Sequence, residues 1–207
     1  MKIRNCIFIL FFLLIFTKVD YRLTEIFPGG SQDDSVYYYH VQTIVEDNDF
    51  DYTNQLNGNL QDAYIKADGT PIPRQSFGMA LMATPFVYLS NIITNFLNID
   101  TYTSLNYFIY SIVPIIIFIA SFKILLSLTS DFRFKNLFTL IIFLGSGVSY
   151  YVFERFSMSL IYEFFSFCLV IKLTDWLFKN KKEKTNYILL LPILQFIFLM
   201  IRWNNYH

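Results

Sequence analysis

The feature that most limits how this chain folds is a series of apolar stretches, each close to the length that crosses a bilayer. A spanning helix needs about 20 mainly apolar residues, because the hydrocarbon core is about 30 Å thick and a helix rises about 1.5 Å per residue. Five stretches come near this length: 3–21, 107–128, 137–153, 157–178 and 187–203. We therefore predict an all-α fold, a polytopic transmembrane helical bundle that forms a single membrane domain.

The composition agrees with a membrane protein and excludes some other classes. Only 15% of the residues are charged, whereas soluble domains have about 25%. The net charge is zero, so the basic surface that nucleic-acid binding requires is missing and no nucleic-acid partner is expected. The two cysteines, Cys6 and Cys168, lie far apart in apolar stretches and suggest neither a disulfide framework nor a metal cluster.

The distribution of charge predicts the orientation of the spans. Lys2 and Arg4 place the N-terminus in the cytoplasm by the positive-inside rule. Residues 18–76, with ten acidic and four basic side chains, then lie outside, and residues 22–106 form one long outer loop. The first stretch could be a cleaved signal peptide, but no small-x-small cleavage pattern follows it, which favours an uncleaved anchor.

A sixth apolar stretch, 77–97, carries no charge but contains Pro85, Asn91 and Asn95. If it crossed the membrane, the lysine cluster at 179–184 would lie outside, against the positive-inside rule. We therefore expect it to lie in the outer interface, within the outer loop, which is predicted to contain short juxtamembrane helices. The sequence stops directly after the span 187–203, as expected for the N-terminal portion of a longer protein.

An acidic pair stands at the start of a predicted helix in the outer loop. Pro28-Gly29-Gly30 interrupts the chain, Ser31 can cap the helix, and apolar residues then recur at helical spacing as far as Val45. Asp33 and Asp34 therefore occupy the first helical turn. Acidic side chains there can simply stabilise the helix dipole, or one carboxylate can accept a proton or hold a divalent metal ion.

Other outer residues are candidates for substrate binding. Arg74 suits a phosphate, because its planar fork donates two parallel hydrogen bonds, although it could equally be an interface anchor. Glu163 lies within a predicted span, where an acidic side chain is costly and suggests a function. The remaining candidates are polar or aromatic residues of the two outer loops: Tyr37, Tyr38, Glu154 and Arg155. His40 is expected to pack on the helix face rather than bind a metal.

These segments together resemble the GT-C membrane glycosyltransferases, a superfamily that includes protein O-mannosyltransferases and lipid A aminoarabinose transferases. The similar segments are the acidic motif Gly-Gly-Ser-Gln-Asp-Asp-Ser-Val-Tyr-Tyr-Tyr at 29–39, the juxtamembrane segment at 77–86 and the second outer loop at 150–159. Two positions differ from the family pattern. Leu160 stands where a histidine is expected, and Asp34 stands where glutamate is commoner.

The resemblance implies an activity and its location. A sugar would move from a polyprenyl-phosphate donor to an acceptor hydroxyl on the outer face of a bacterial cytoplasmic membrane, within the cell envelope. Asp33 would be the catalytic base, and Asp34 would support its position or contact the acceptor. Arg74 and Arg155 would neutralise the leaving phosphate. Two alternatives stay open: a non-catalytic membrane protein of polysaccharide assembly or export, and a transporter.

Overall fold

The structure is a computed structural model that describes residues 32–56, 63–97, 102–130, 133–153 and 155–179, together with the single residue Pro192. It is mostly helical, as predicted. The elements in chain order are α1 (Gln32–Gln42), a π-helical turn (Thr43–Asp47), α2 (Thr53–Leu56), β1 (Ala63–Ile65), β2 (Pro71–Pro73), α3 (Gly78–Leu97), α4 (Tyr102–Leu128), α5 (Lys135–Gly145), α6 (Val148–Phe153) and α7 (Leu160–Lys179). The predicted spans 3–21 and 187–203 lie outside the described residues.

Helix α4 is the centre of the described fold. It packs against α3 and α7, and more briefly against α5 and α6. Aromatic rings join these helices: Phe118 of α4 meets Phe143 of α5 edge to face at 4.5 Å between ring centroids, and Phe143 meets Phe164 of α7 at 5.7 Å. Edge-to-face aromatic pairs of this kind add to the stability that burial provides.

Helix α3 has its large apolar side chains on the outside. Its buried face consists mostly of small or polar residues, among them Ala80, Ala83, Asn91 and Thr94, together with Met79 and Val87. Its exposed face carries Leu81, Phe86, Tyr88, Leu89, Ile92, Ile93 and Phe96. Small residues at helix contacts are typical of membrane helices, because they let the backbones approach closely.

The described residues contain two helices long and apolar enough to cross a membrane. They are Gly78–Leu97 and Leu105–Leu128. Of the most apolar 18 residues in each helix, only 33% and 44% are buried, so both helices keep apolar side chains on the surface. The helix Gly78–Leu97 matches the predicted segment 77–97 closely. Helix α7 carries four charged residues, so the prediction that 157–178 spans the membrane remains a prediction.

The predicted span 137–153 is divided into two helices in the structure. Helix α5 ends at Gly145, and α6 begins at Val148. Between them Gly147 has a φ of +72°, a left-handed conformation that glycine adopts without steric cost. Neither helix alone is as long as a typical membrane span.

A small antiparallel hairpin was not predicted from the sequence. Strand β1 pairs with β2 in the register Ala63↔Pro73, Tyr64↔Ile72 and Ile65↔Pro71. Asp68 stabilises the connecting turn by accepting hydrogen bonds from the Thr70 amide at 2.9 Å and the Thr70 hydroxyl at 2.7 Å. Gly69, with a φ of +85°, supplies the left-handed residue that the turn needs.

Helix α1 and the π-helical turn cover α3 and the beginning of α4. Val41 and Val45 belong to the same buried core as Ala83 of α3 and Tyr107 of α4. The π-helical turn leaves the Val45 carbonyl without its helical partner, because the Asp49 amide bonds to Thr43 instead. Asn91 of α3 donates to that carbonyl at 2.8 Å, and this bond holds the outer-loop helix on α3.

Candidate functional site

The acidic pair lies in the first turn of a helix, as predicted. Helix α1 begins at Gln32, so Asp33 and Asp34 are its next two residues. Their side chains, and Ser31 as the predicted cap, lie outside what the structure describes. Within the described ranges, no group of three or more His, Cys, Asp or Glu side chains is placed to hold a metal ion. The roles of the pair as base, cap or metal ligand therefore remain predictions.

Tyr37 links α1 to the second outer loop. Its hydroxyl lies 3.5 Å from the hydroxyl of Ser159, and the Ser159 hydroxyl donates to Glu163 Oε1 at 2.9 Å. Ser159 precedes α7, and Glu163 lies in the first turn of that helix. Two predicted site residues that are 126 positions apart in the chain, Tyr37 and Glu163, are thus connected through a single serine. Ser159 was not predicted as a site residue.

A cleft of about 360 Å³ opens beside Glu163. It lies where the break between α5 and α6 faces the first half of α7. Its walls are formed by Ser146, Val148, Tyr151, Leu160, Glu163, Phe164 and Phe167. Glu163 is only 7% exposed, and among the described residues of this lining it is the one charged side chain. A carboxylate among aromatic and apolar side chains suits a ligand that has hydroxyl groups and an apolar face.

Tyr38 occupies a core position. Its ring packs edge to face on Tyr107 at 5.3 Å between centroids. Its hydroxyl donates to Glu46 Oε1 at 3.4 Å, and Asn106 donates to the same oxygen at 3.2 Å. Burial and the neighbouring Glu46 carboxylate raise the pKa of Tyr38 well above its usual value. Tyr38 therefore joins α1 to α4 in the core, and this buried position does not support the prediction that it contacts a substrate.

Arg74 is exposed at the end of the hairpin. Its Nε donates to the Ala63 carbonyl at 3.2 Å, and its Cζ lies 5.4 Å from the centroid of the Tyr64 ring. These contacts hold the Nε end of the guanidinium group, while the side chain stays exposed to solvent. An arginine fixed in this way is suited to binding a phosphate.

The second predicted arginine, Arg155, contacts a different set of residues. Arg155 follows α6, and its Nη2 lies 3.8 Å from the sulfur of Met158. No contact between Arg155 and Arg74 is found among the described residues. Glu154 lies outside the described residues, so its predicted role in substrate binding is untested.

His40 joins three parts of the outer loop. It is 3% exposed, with Nδ1 3.0 Å from the Tyr52 hydroxyl and Nε2 3.0 Å from the Gln75 carbonyl. Burial lowers the pKa of His40 to about 4. The prediction that His40 packs within the protein is confirmed, but its link to Gln75 was not foreseen because the partner is 35 residues away.

Comparison with protein-family models, with curated proteins and with solved structures found no match to this chain. Its function is therefore inferred from its own residues and from the arrangement described above.

Proposed function

We propose that this chain transfers a sugar from a polyprenyl-phosphate donor to an acceptor hydroxyl on the outer face of the membrane. The observation that carries the proposal is the contact between Tyr37 and Ser159. Through it the helix that bears Asp33 and Asp34 meets the loop that leads to Glu163 and its cleft. A lipid-linked glycosyl transfer needs an acidic group and a site for the sugar close together, and the contact between α1 and the loop before Glu163 supports this arrangement.

The distribution of polar and apolar surface supports a position at the membrane boundary. The exposed face of α3 consists of large apolar side chains, and moving their exposed surface from water into an apolar phase gains about 25 cal/mol per Å². Helix α1 covers the other side of α3, and the exposed acidic residues Asp47, Asp49 and Asp51 follow it. Acidic side chains need water, so this side of the domain faces the aqueous phase.

In the proposed reaction the acceptor oxygen attacks the anomeric carbon of the donor sugar. The bond between that carbon and the phosphate oxygen breaks, and the bonding electrons leave with the polyprenyl phosphate. Asp33 accepts the proton of the acceptor hydroxyl, and Asp34 supports it. Arg74 neutralises the charge that builds on the departing phosphate. Glu163 holds hydroxyl groups in the cleft.

The test compares Asp33→Asn and Asp34→Asn with the wild-type chain, using radiolabelled hexose and pentose donors on polyprenyl phosphate. Loss of a general base lowers the rate by about 100-fold or more, so Asp33→Asn should lose nearly all transfer. Asp68→Asn is the matched control: it changes an exposed acid of the same outer region, whose carboxylate bonds to Thr70 in the hairpin turn. Undiminished transfer by both Asp33→Asn and Asp34→Asn would refute the assignment.

A further inference from the structure

His40 connects two groups that the proposed reaction must hold at a fixed separation. It lies on α1, about two helical turns after Asp33. Its Nε2 bonds to the carbonyl of Gln75, and Gln75 directly follows Arg74. One buried side chain therefore joins the helix of the acidic pair to the backbone beside the phosphate-binding arginine.

The hydrogen bonds define which ring nitrogen of His40 carries the proton. A carbonyl oxygen can only accept, so Nε2 must be the protonated nitrogen that donates to Gln75. Nδ1 is then bare and accepts from the Tyr52 hydroxyl at 3.0 Å. The rings of Tyr52 and Phe77 meet the imidazole edge to face, at 5.3 and 5.4 Å between centroids. The imidazole is fixed by contacts on several sides in its neutral form.

We propose that His40 is a positioning residue for glycosyl transfer: through Gln75 it sets the place of Arg74 relative to the acidic pair. This inference rests on the proposed function. The side chain of Arg74 is fixed separately, by the Ala63 carbonyl and the Tyr64 ring. The His40 bond helps to fix where the end of the hairpin lies against α1, together with the apolar cluster on which Tyr39 and Ile72 pack. A displacement of about 1 Å between reacting groups can cost about 100-fold in rate.

Two amide substitutions separate the bond to Gln75 from the other contacts of His40. In His40→Gln the amide nitrogen reaches the place of Nε2 and can still donate to the Gln75 carbonyl. In His40→Asn the shorter amide reaches only the place of Nδ1. It can therefore still bond to the Tyr52 hydroxyl, but it loses the bond to the Gln75 carbonyl. We expect His40→Gln to retain kcat within about threefold, and His40→Asn to lower kcat by about 10–100-fold with a smaller change in KM.

Hydrogen exchange gives a readout that does not depend on sugar transfer. The backbone amides of residues 74–77 should exchange faster in His40→Asn than in His40→Gln, while those of α4 stay unchanged. Thr139→Val, which removes a buried hydroxyl on α5, is the control for a general loss of stability and should keep both its transfer rate and the exchange of residues 74–77.

The outcomes distinguish the two proposals. Equal kcat values for His40→Gln and His40→Asn, in an enzyme that Asp33→Asn inactivates, would overturn the positioning role and leave the proposed function intact. No transfer by the wild-type chain from any donor would overturn the function and the positioning role with it. A fall in kcat confined to His40→Asn, with faster exchange at residues 74–77, is the result we expect.

Discussion

Replacing Asn91 with leucine tests whether the outer loop is fastened to α3 as described. Asn91 is 7% exposed, and its amide donates to the Val45 carbonyl at 2.8 Å. Leucine has a similar size but no donor, so the buried carbonyl would lose its partner at a cost of about 1–3 kcal/mol. Part of this cost is offset, because the Asn91 Oδ1 atom is itself buried and has no hydrogen-bond partner within the described ranges.

We expect Asn91→Leu to lower the free energy of unfolding by about 1–2 kcal/mol. For a chain of this size each kcal/mol corresponds to about 2–4 °C, so Tm should fall by about 2–8 °C. Cys168 is buried, and in a Cys6→Ser background its reaction with a maleimide dye during heating in detergent reports unfolding.

Asn95→Leu is the matched control for this measurement. Asn95 is exposed on the same helix, and substitutions at such positions change stability by less than about 0.5 kcal/mol. If Asn91→Leu unfolded at the same temperature as Asn95→Leu, or at a higher one, the proposed fastening of the π-helical turn to α3 would be wrong.

Three further predictions concern the site, its response to pH and its orientation. Ser159→Ala removes the donor to Glu163 and should cost about 1–2 kcal/mol, whereas Ser146→Ala on the exposed rim of the cleft should cost less than about 0.5 kcal/mol; equal effects would contradict the Ser159–Glu163 bond. The pKa of His40 is about 4 in the folded protein against 6.5 normally, so the unfolded chain binds a proton first as the pH falls. The free energy of unfolding should therefore drop between about pH 6.5 and 4 by roughly 1 kcal/mol per pH unit. Chemical denaturation of His40→Gln should not show this drop. If His40→Gln and the wild-type chain had the same pH profile, the assignment of the drop to His40 would be wrong. A cysteine at Ser130, just after α4, should escape a membrane-impermeant maleimide added to intact cells, while one at Lys66 in the hairpin should react; labelling of both would exclude the predicted orientation.

The long helices could be predicted closely because apolar length determines them. The segment 77–97 appears as Gly78–Leu97, and the predicted span 107–128 lies within Tyr102–Leu128. The interruption of 137–153 was missed, because Gly145-Ser146-Gly147 carries no charge and apolar residues flank it on both sides. The break between α5 and α6 depends on the positive φ of Gly147, which apolar periodicity does not report.

The irregular elements depend on contacts between distant residues. The helical spacing from Val36 to Val45 predicts a helix, but one extra residue in the π-helical turn does not change that spacing enough to be recognised. The hairpin has strands of three residues, and proline stands at both ends of β2. Asp68-Gly69 was a usable turn signal, but no alternating apolar pattern flanked it.

The sequence indicated candidate residues for the site, but it did not indicate the contacts between them. Tyr37 and Glu163 were both expected near the outer surface. In the structure, hydrogen bonds through the Ser159 hydroxyl connect them. Tyr38 belongs to the core, since helical positions 37 and 38 face directions about 100° apart. The bonds of His40 and Asn91 cross 35 and 46 positions, and a single sequence gives no indication of such pairs.

The most direct test of the proposed function measures both products of the reaction at once. The purified chain, reconstituted in vesicles, is given a polyprenyl-phosphate sugar labelled in both the sugar and the lipid, together with an acceptor that bears hydroxyl groups. The proposal predicts that one polyprenyl phosphate is released for each sugar joined to the acceptor, and that Asp33→Asn abolishes both. Release of lipid phosphate without sugar transfer, or transfer unchanged in Asp33→Asn, would contradict it.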